Sequence, residues 1–308
     1  MFRKMIPLAV ALVLVIGCKK KAEDGGGGGG GGGDGKIDSD PNAAFTIKLR
    51  DEQAGDKTEQ TVTETATVMY SLDGKSEKVR EDTKLVYTET IIDFPAGAGS
   101  PAKFTHTYTM AMKYDQAAGG MKSLPFEGKT VTIEPAARSQ FTVDGIRLKG
   151  NDALDLSREY SLKGASKKDD LLPKKAVKVG ETWDLDAGVL KVLGRDMSFS
   201  LNMTKSKLTG KLTRAYIKDG KQWGVIALDL DLVLNTVAAG GGKSKGMARR
   251  SSAGTVKVTG LLDAEIDGSV RDGTMTMTAK MDVTREEDGG EMKITTDTVR
   301  TQTIKTVK

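Results

Sequence analysis

Long stretches of this sequence alternate strictly between polar and apolar residues, and threonine fills many of the polar positions. Residues 61–70 and 274–283 are two examples. Successive side chains of a β-strand point to opposite faces, so this period of two predicts strands with one face in the core and the other in water. Antiparallel sheets allow such one-sided burial. We therefore predict a mainly β chain of antiparallel sheets, with further strands in 84–92, 104–112, 198–203 and 225–234.

Asp-Gly pairs separate many of these alternating runs. Such a pair suits the two-residue turn that joins antiparallel strands in a hairpin. The last stretch, from residue 255 to residue 308, is therefore predicted to be an up-and-down meander of long hairpins. The turn pairs are Asp73-Gly74, Asp144-Gly145, Asp219-Gly220, Asp267-Gly268, Asp272-Gly273 and Asp288-Gly289.

The body divides into two β-rich halves, 45–165 and 171–308, which form either two domains or one continuous domain. A short helix near 151–163 is predicted to end the first half, because Asn151 is a capping residue, apolar residues follow near helical spacing, and Gly164 is a stop. Aromatic residues make up only 5% of the chain, which predicts a thin core. Strand-rich chains with thin cores form sandwiches or partly open barrels, so we expect a curved sheet, a half-barrel or a sandwich.

The first residues have the layout of a secretory signal. Arg3 and Lys4 precede an apolar run at 5–16 that is too short to span a bilayer. The run ends in Val15-Ile16-Gly17-Cys18, which resembles the lipobox of bacterial lipoproteins: an aliphatic residue, a tolerant position, a small residue and a cysteine. Cys18 is the only cysteine of the chain, so no thiol is left for a disulfide.

The lipobox resemblance implies that residues 1–17 are a signal peptide, that cleavage falls between Gly17 and Cys18, and that Cys18 carries lipid. Membrane lipid is then a partner of the mature chain through this acyl anchor. Residues 18–44 hold an unbroken glycine run and are predicted to be a disordered tether, with a reach of about 25–30 Å. Lys19 stands where an aspartate would favour the inner membrane. The resemblance therefore implies a cell-envelope protein, with the outer membrane preferred.

The most distinctive segment of the body runs from Leu172 to Trp183 and ends in Val177-Lys178-Val179-Gly180-Glu181-Thr182-Trp183. With residues 125–132, it resembles uncharacterised planctomycete-type secreted proteins that carry a V-x-x-G-E-x-W element between two β-rich halves. This resemblance spans about 45–305 and implies a domain of unknown function with no catalytic residues to transfer. From the residues themselves, the Gly-Glu pair predicts a turn, and Trp183 buries apolar surface under it. A ligand or partner contact by Trp183 is the alternative.

His106 is the only histidine and lies in an alternating run. By parity, its imidazole is expected on one strand face with four large side chains, Phe104, Tyr108, Met110 and Met112. Zinc sites combine several His and Cys ligands, and catalytic sets need a nucleophile, an acid or a base at workable spacing. The chain offers neither, so we predict no catalytic residue, no metal site and no cofactor.

Four aspartates alternate along predicted strands and could be taken for ligands of a cation. The simpler interpretation is a solvated strand face, and a weak calcium site is the alternative. These residues are Asp184, Asp186, Asp229 and Asp231.

The net charge of the full chain is +5, and loss of the two signal cations leaves +5 − 2 = +3 for the mature chain. A cluster of four cations interrupts the second half in a glycine-rich stretch that has few aromatic residues, so we predict no nucleic-acid binding. A mobile basic loop is expected there, and contact with anionic headgroups or acidic envelope polymer is the alternative. The cations are Lys243, Lys245, Arg249 and Arg250.

These patterns predict a membrane-anchored envelope lipoprotein whose β domain binds or supports and does not catalyse. The alternative is a carrier of a hydrophobic ligand in a half-barrel cavity, with the helix near 151–163 as its lid. Thirteen methionines suit such an adaptable apolar cavity, although they also suit an ordinary core. An enzyme that uses His106 is a third hypothesis.

Overall fold

The computed structural model describes residues 37–150 apart from 73, 97, 99 and 136–138, and then residues 153, 156, 171–185, 200–235, 252–287 and 290–307. Strands make up 68% of the structure and helices 2%. The predicted mainly β class with large antiparallel sheets is therefore confirmed.

The strands group into one sheet of 15 strands and one of two strands, and every pairing between them is antiparallel. In chain order the described strands are β1 (Ile37–Asp38), β2 (Ala44–Phe45), β3 (Lys57–Leu72), β4 (Lys75–Asp93), β5 (Lys103–Asp115), β6 (Gly120–Ser123), β7 (Thr130–Glu134), β8 (Gln140–Val143), β9 (Ile146–Arg147), β10 (Val177–Lys178), β11 (Thr182–Asp184), β12 (Ser200–Leu201), β13 (Lys207–Lys218), β14 (Lys221–Asn235), β15 (Ser252–Glu265), β16 (Gly273–Glu287) and β17 (Gly290–Thr306).

The main sheet is a single path in which chain neighbours are mostly spatial neighbours. Its order is β1-β13-β14-β15-β16-β17-β3-β4-β5-β7-β8-β9, with β11, β12 and β6 beside β13, β14 and β5. The predicted C-terminal meander is thus present. The long-range step is β17 to β3, which sets the last strand beside the first long one, so a single sheet runs through both predicted halves. Among the described residues, the two ends of this path do not pair with each other.

Two of the predicted Asp-Gly turns have the backbone that a tight hairpin needs. Asp144 and Gly145 have φ of 51° and 78°, and Asp219 and Gly220 have φ of 52° and 73°. Positive φ at both central residues gives a turn whose twist matches that of the flanking strands. The pair at 267–268 lies instead in the longer connection between β15 and β16, and the pair at 272–273 spans the end of that connection and the first residue of β16. Asp73, Asp288 and Gly289 lie outside the described residues.

Most buried side chains of the long strands lie on one side of the main sheet, which we call the buried face. The opposite side, the threonine face, carries Thr61, Thr63 and Thr65 of β3. The buried face holds two apolar clusters. The aliphatic cluster joins the buried Leu, Ile, Val, Ala and Met side chains of β12 to β16 with those of Ile47, Leu171, Leu172, Val177, Leu185 and Ile266. The aromatic cluster comprises Val62, Leu85, Tyr87, Ile91, Phe104, Tyr108, Ala111, Phe126, Val131, Ile133, Phe141, Val143 and Leu156.

The folded part of the chain begins before the end of the predicted tether at residue 44. Ile37 pairs with Ile217 at the edge of the main sheet, and the Ser39 amide donates to the Ala215 carbonyl over 3.0 Å. An exposed sheet edge offers unpaired backbone N–H and C=O groups, and these residues bind to them as a short strand. Composition alone does not predict such pairing. The boundary at 44/45 is therefore too late, and residues 1–36 lie outside the described residues.

The predicted helix near 151–163 is described at only two of its positions. Ala153 and Leu156 are both helical, and Leu156 packs into the aromatic cluster with 2% of its surface exposed. The other positions lie outside the described residues. In the described part of the chain, no helix has the length and apolarity needed to span a membrane.

Candidate functional site

Strands β16, β17 and β3 align their buried-face side chains in rows that cross the middle of the main sheet. In the first row, Met281 pairs with Thr296, and Thr296 pairs with Val68. The following rows are Ala279–Thr298–Ala66, Met277–Arg300–Glu64 and Met275–Gln302–Val62. Polar residues therefore run down the sheet between the two apolar clusters. We call this set the polar stripe: Thr58, Gln60, Glu64, Thr296, Thr298, Arg300 and Gln302.

One end of the polar stripe is closed by its own hydrogen bonds. Gln302 Nε2 and Tyr87 OH each donate to Gln60 Oε1 over 3.0 Å. Gln60 Nε2 in turn donates to Thr58 Oγ1 over 3.2 Å. All four residues are buried. Because these polar groups satisfy one another, this end needs no further partner.

An ion pair occupies the middle of the polar stripe. Arg300 Nη1 lies 3.2 Å from Glu64 Oε2, and the two side chains are 13% and 7% exposed. Opposite charges at this distance neutralise each other. Their attraction offsets the free-energy cost of removing both charged groups from water. The stripe therefore carries a polar pair without a net charge.

The other end of the polar stripe is not closed. Thr296 and Thr298 are each 5% exposed, and neither Oγ1 has a hydrogen-bond partner among the described residues. A buried hydroxyl without a partner costs about 1–3 kcal/mol. The two residues lie two positions apart on β17, so both hydroxyls face the same side of the sheet. These two hydroxyls therefore leave hydrogen-bonding capacity unused.

A second buried polar set lies beside the aromatic cluster. We call it the His106–Arg271 network: Glu52, Glu89, His106, Tyr108 and Arg271. His106 Nε2 is 3.1 Å from Glu89 Oε2, and its Nδ1 is 3.4 Å from Tyr108 OH. Arg271 Nη2 lies 2.8 Å from Glu52 Oε1 and 3.5 Å from Glu89 Oε1. The network therefore links the β15–β16 connection to β4 and β5.

The environment of Glu89 favours its charged form. Burial raises the pKa of this carboxyl, but the hydrogen bond and charge of His106, together with the charge of Arg271, hold the pKa below its usual value. His106 itself is fully buried and stacks on the Tyr87 ring at 4.1 Å between centroids. The imidazole is thus enclosed by ring and carboxylate contacts.

The face assigned to His106 from the sequence is correct for two of its four neighbours. Phe104 and Tyr108 share the buried face with His106, but Met110 and Met112 do not. The register of β4 and β5 shifts between Tyr108 and Met110, and beyond that point Ala111 is the buried residue. One extra residue in a strand moves every later side chain to the opposite face. The prediction that Met110 and Met112 lie with His106 is therefore wrong.

Trp183 lies on the aliphatic cluster, half-buried. It pairs with Gly210 of β13, and its indole covers the space that a side chain at 210 would occupy. The indole Nε1 donates to the Leu171 carbonyl over 3.1 Å. The turn before it is present as predicted, with Gly180 at a φ of 91° and the Glu181 carboxylate accepting from the Lys178 amide over 2.7 Å. Trp183 thus packs within the chain, and a ligand contact by it stays a prediction.

The aspartates on strand β14 lie on an exposed face. Asp229 and Asp231 are 3.8 Å and 3.4 Å from Lys257 Nζ, and all three side chains are more than half exposed. Within the part of the chain that the structure describes, no group of three or more His, Cys, Asp and Glu side chains is placed to hold a metal ion. Asp186 lies outside that part.

Several predicted features lie outside the described residues. They include the lipidation and cleavage positions, Cys18 and Gly17, and the basic segment with Lys243, Lys245, Arg249 and Arg250. Predictions about them stay predictions.

The polar stripe was not singled out from the sequence, although a signal for it exists. In β3, Glu64 interrupts a series of buried-parity residues that otherwise reads Val62, Ala66 and Val68. In β17, the same parity carries threonine, arginine and glutamine between Ile294 and Ile304. Polar residues at buried parity mark positions where a strand needs a partner for them.

Comparison with known proteins adds little to this description. No family profile and no curated protein matches the chain. The chain is similar to a DUF1329 family protein from Desulfovibrio piger ATCC 29098, with 12% identity, coverage of 83% of this chain and 87% of that one, and a TM-score of 0.12. At this TM-score the likeness carries no argument about fold or function.

Proposed function

We propose that this chain is a lipid-anchored protein of the cell envelope whose β domain binds an apolar ligand on the buried face and does not catalyse. The lipobox-like Val15-Ile16-Gly17-Cys18 and the glycine run after it support the anchor. A tether of this kind keeps a folded domain near the membrane while letting it turn and reach.

One observation carries the ligand-binding part of the proposal. Ala66, Val68 and Met292 are 1%, 6% and 3% exposed, yet they belong to neither apolar cluster. They line the middle strands β3 and β17, between the two clusters. A buried apolar surface that continues between the two clusters is the part of the chain that an apolar ligand would contact.

The buried histidine supports a role without catalysis. His106 contacts Glu89 and Tyr108 and is fully buried, so a substrate would have to displace packed side chains to reach it. A general base must lie within hydrogen-bond reach of the substrate proton. We therefore assign His106 to the support of β4 and β5.

The anchor is tested by Cys18→Ser in the full chain. We expect the wild-type chain to enter the detergent phase on phase partitioning and the variant to remain in the aqueous phase. A variant that still partitions with detergent would overturn the anchor.

The ligand is tested with the same Cys18→Ser chain, purified gently and examined by native mass spectrometry and by titration with an apolar fluorescent probe. We expect co-purified lipid and saturable probe binding. Ala66→Trp should abolish probe binding by filling the buried face. Val299→Trp, on the neighbouring strand but 43% exposed on the threonine face, should not affect it.

Circular dichroism tests whether both variants fold. If Ala66→Trp does not fold, Val68→Phe replaces it, because this substitution enlarges a buried side chain by less. No co-purified lipid together with no probe binding would overturn the carrier proposal. The domain would then be a structural support, which is the competing function.

A further inference from the structure

One row of exposed charges crosses the threonine face, the side of the main sheet opposite the buried face. The row follows the register of six neighbouring strands, from β14 through β15, β16, β17 and β3 to β4. In this order its signs are negative, positive, positive, negative, neutral and positive. All five charged side chains are more than half exposed. Lys207 of β13 continues the register outside these six strands. We call the six residues the charged row: Asp231, Lys257, Lys280, Asp297, Thr67 and Arg80.

Reversal of the charged row sets opposite charges over each other. A two-fold axis that runs parallel to the strands, between β16 and β17, lays a second copy face to face with the first and reverses the order of its strands across the row. Lys280 then faces Asp297 of the second copy, and Asp231 faces Arg80 of the second copy. The two remaining positions set a lysine over the neutral threonine, so no charge of the row meets a like charge. The row is therefore complementary to itself.

Two rows beside the charged row carry no charge on the four strands nearest this axis. Threonine and valine are short side chains, so two such surfaces can approach to about 10 Å, the spacing of packed sheets. An uncharged centre with charges at its margin is the usual arrangement of a protein–protein interface. From β15 to β3 the two rows are Thr259–Thr278–Val299–Thr65 and Leu261–Thr276–Thr301–Thr63.

The threonine face is large enough for a stable pair of copies. Its six strands from β14 to β4 are 14–19 residues long. At about 4.8 Å between strands and about 3.3 Å per residue, they present on the order of 1,300 Å². A specific interface buries about 800 Å² on each partner. Charges of both signs alternate on this face, which suits a second copy better than an anionic membrane surface, since such a surface attracts clustered cations.

We propose that two copies of this chain associate through their threonine faces about this two-fold axis, with Lys280 of each copy bound to Asp297 of the other. The inference is independent of the proposed ligand, because it concerns the opposite side of the sheet. Within one copy, Lys280 Nζ lies 3.4 Å from Asp297 Oδ2. An ammonium group has three N–H donors, so Lys280 can bind both carboxylates at once. Packed sheets are rotated by about 30°, which displaces the outer strands most and the strands at the axis least.

The test reverses one charge at a time in the full Cys18→Ser chain. Lys280→Asp sets negative charge against Asp297 of the second copy, and Asp297→Lys sets positive charge against its Lys280. Like charges brought together in an interface oppose association, so each variant should raise the dissociation constant of the dimer at least about tenfold. Sedimentation velocity over a dilution series measures this constant. The control is Lys122→Asp on β6, which changes an exposed pair with Asp115, 3.8 Å apart, outside the charged row and should leave association unchanged.

A mixture of the two variants separates a broken contact from a damaged fold. Lys280→Asp presents two negative charges at the axis and Asp297→Lys presents two positive charges. In a mixed pair every contact at the axis joins opposite charges again. We expect the two variants to sediment as monomers when alone and as a dimer when mixed. Circular dichroism of each variant alone confirms that it folds.

Three results would overturn the proposal. In the first, the chain before charge reversal is a monomer at every concentration, whether or not it binds vesicles of anionic lipid. In the second, it forms a dimer that the two reversals do not weaken, or that Lys122→Asp weakens equally. An association through residues 1–36 would give this result, because every variant shares them. In the third, both variants fold but their mixture stays monomeric, so Lys280 does not face Asp297 of the second copy.

Discussion

The two apolar clusters of the buried face differ in the charged side chains that lie beside them. The buried members of the aliphatic cluster are all Ile, Leu, Val, Ala or Met. The aromatic cluster instead borders the His106–Arg271 network, where a histidine, an arginine and a glutamate are buried together with the partly buried Glu52. The stability of the first cluster depends on shape and apolar area, whereas that of the second also depends on every buried charge keeping its partner.

The largest effect is expected where a buried charge loses its partner. The Arg271 side chain is 4% exposed and contacts both Glu52 and Glu89, so Arg271→Ala leaves the buried Glu89 carboxylate and the partly buried Glu52 carboxylate without it. Removal of one member of a buried charge set costs about 3–5 kcal/mol. Urea denaturation measures the loss.

The matched control for Arg271→Ala is Arg214→Ala. Arg214 pairs with Asp38 at 2.6 Å, but the two side chains are 45% and 67% exposed. An exposed pair contributes about 0–1 kcal/mol. Equal losses in the two variants would show that the His106–Arg271 network is not a special source of stability.

The next effect belongs to the aliphatic cluster. Leu230 is 1% exposed, and Leu230→Ala removes its contacts and leaves a cavity. We expect a loss of about 2–5 kcal/mol in the free energy of unfolding. Leu261 on the neighbouring strand is 49% exposed, and Leu261→Ala should stay within about 0.5 kcal/mol of the wild type. A small loss for Leu230→Ala would mean that the aliphatic cluster is loosely packed.

A smaller effect is expected where Trp183 covers Gly210. A Cβ at position 210 would overlap the indole, so Gly210→Ala should cost about 1–3 kcal/mol through overpacking. Gly120 has open space around its position, and Gly120→Ala should be nearly neutral. In a Trp183→Ala background the cost of Gly210→Ala should shrink, because the overlap is gone. If Gly210→Ala costs as much in the Trp183→Ala background as in the wild type, the overlap with the indole is not the cause of the cost.

Much of this fold follows from local sequence pattern. The period-two runs at 61–70, 104–112 and 274–283 fall within β3, β5 and β16, and Asp219-Gly220 forms the hairpin turn between β13 and β14. These features depend on strand parity and turn chemistry, which neighbouring residues determine.

The remainder depends on pairings that no local pattern contains. The sequence around β17 and β3 does not indicate that these two strands are neighbours. Local pattern therefore does not predict the polar stripe that they share. The partnership of Arg271 with Glu89 joins distant parts of the chain in the same way. The bulge after Tyr108 inserts one residue and reverses the faces of Met110 and Met112, which parity alone misassigns.

The smallest effect is the pH dependence of the His106–Arg271 network, because protonation of Glu89 removes its charge but keeps its side chain in place. The pKa of Glu89 lies below its usual value in the folded chain, so its charge stabilises the fold above the unfolded-state pKa of about 4.3. This stabilisation is lost as the pH falls through the lower, folded-state pKa. Many carboxylates titrate there, so the measurement is the difference in unfolding free energy between the wild type and Glu89→Gln. That difference should be constant near neutral pH and shrink below about pH 4.3. A difference that stays constant into acid would show that the charge of Glu89 does not stabilise the aromatic cluster, and the contrast between the two clusters would then reduce to packing alone.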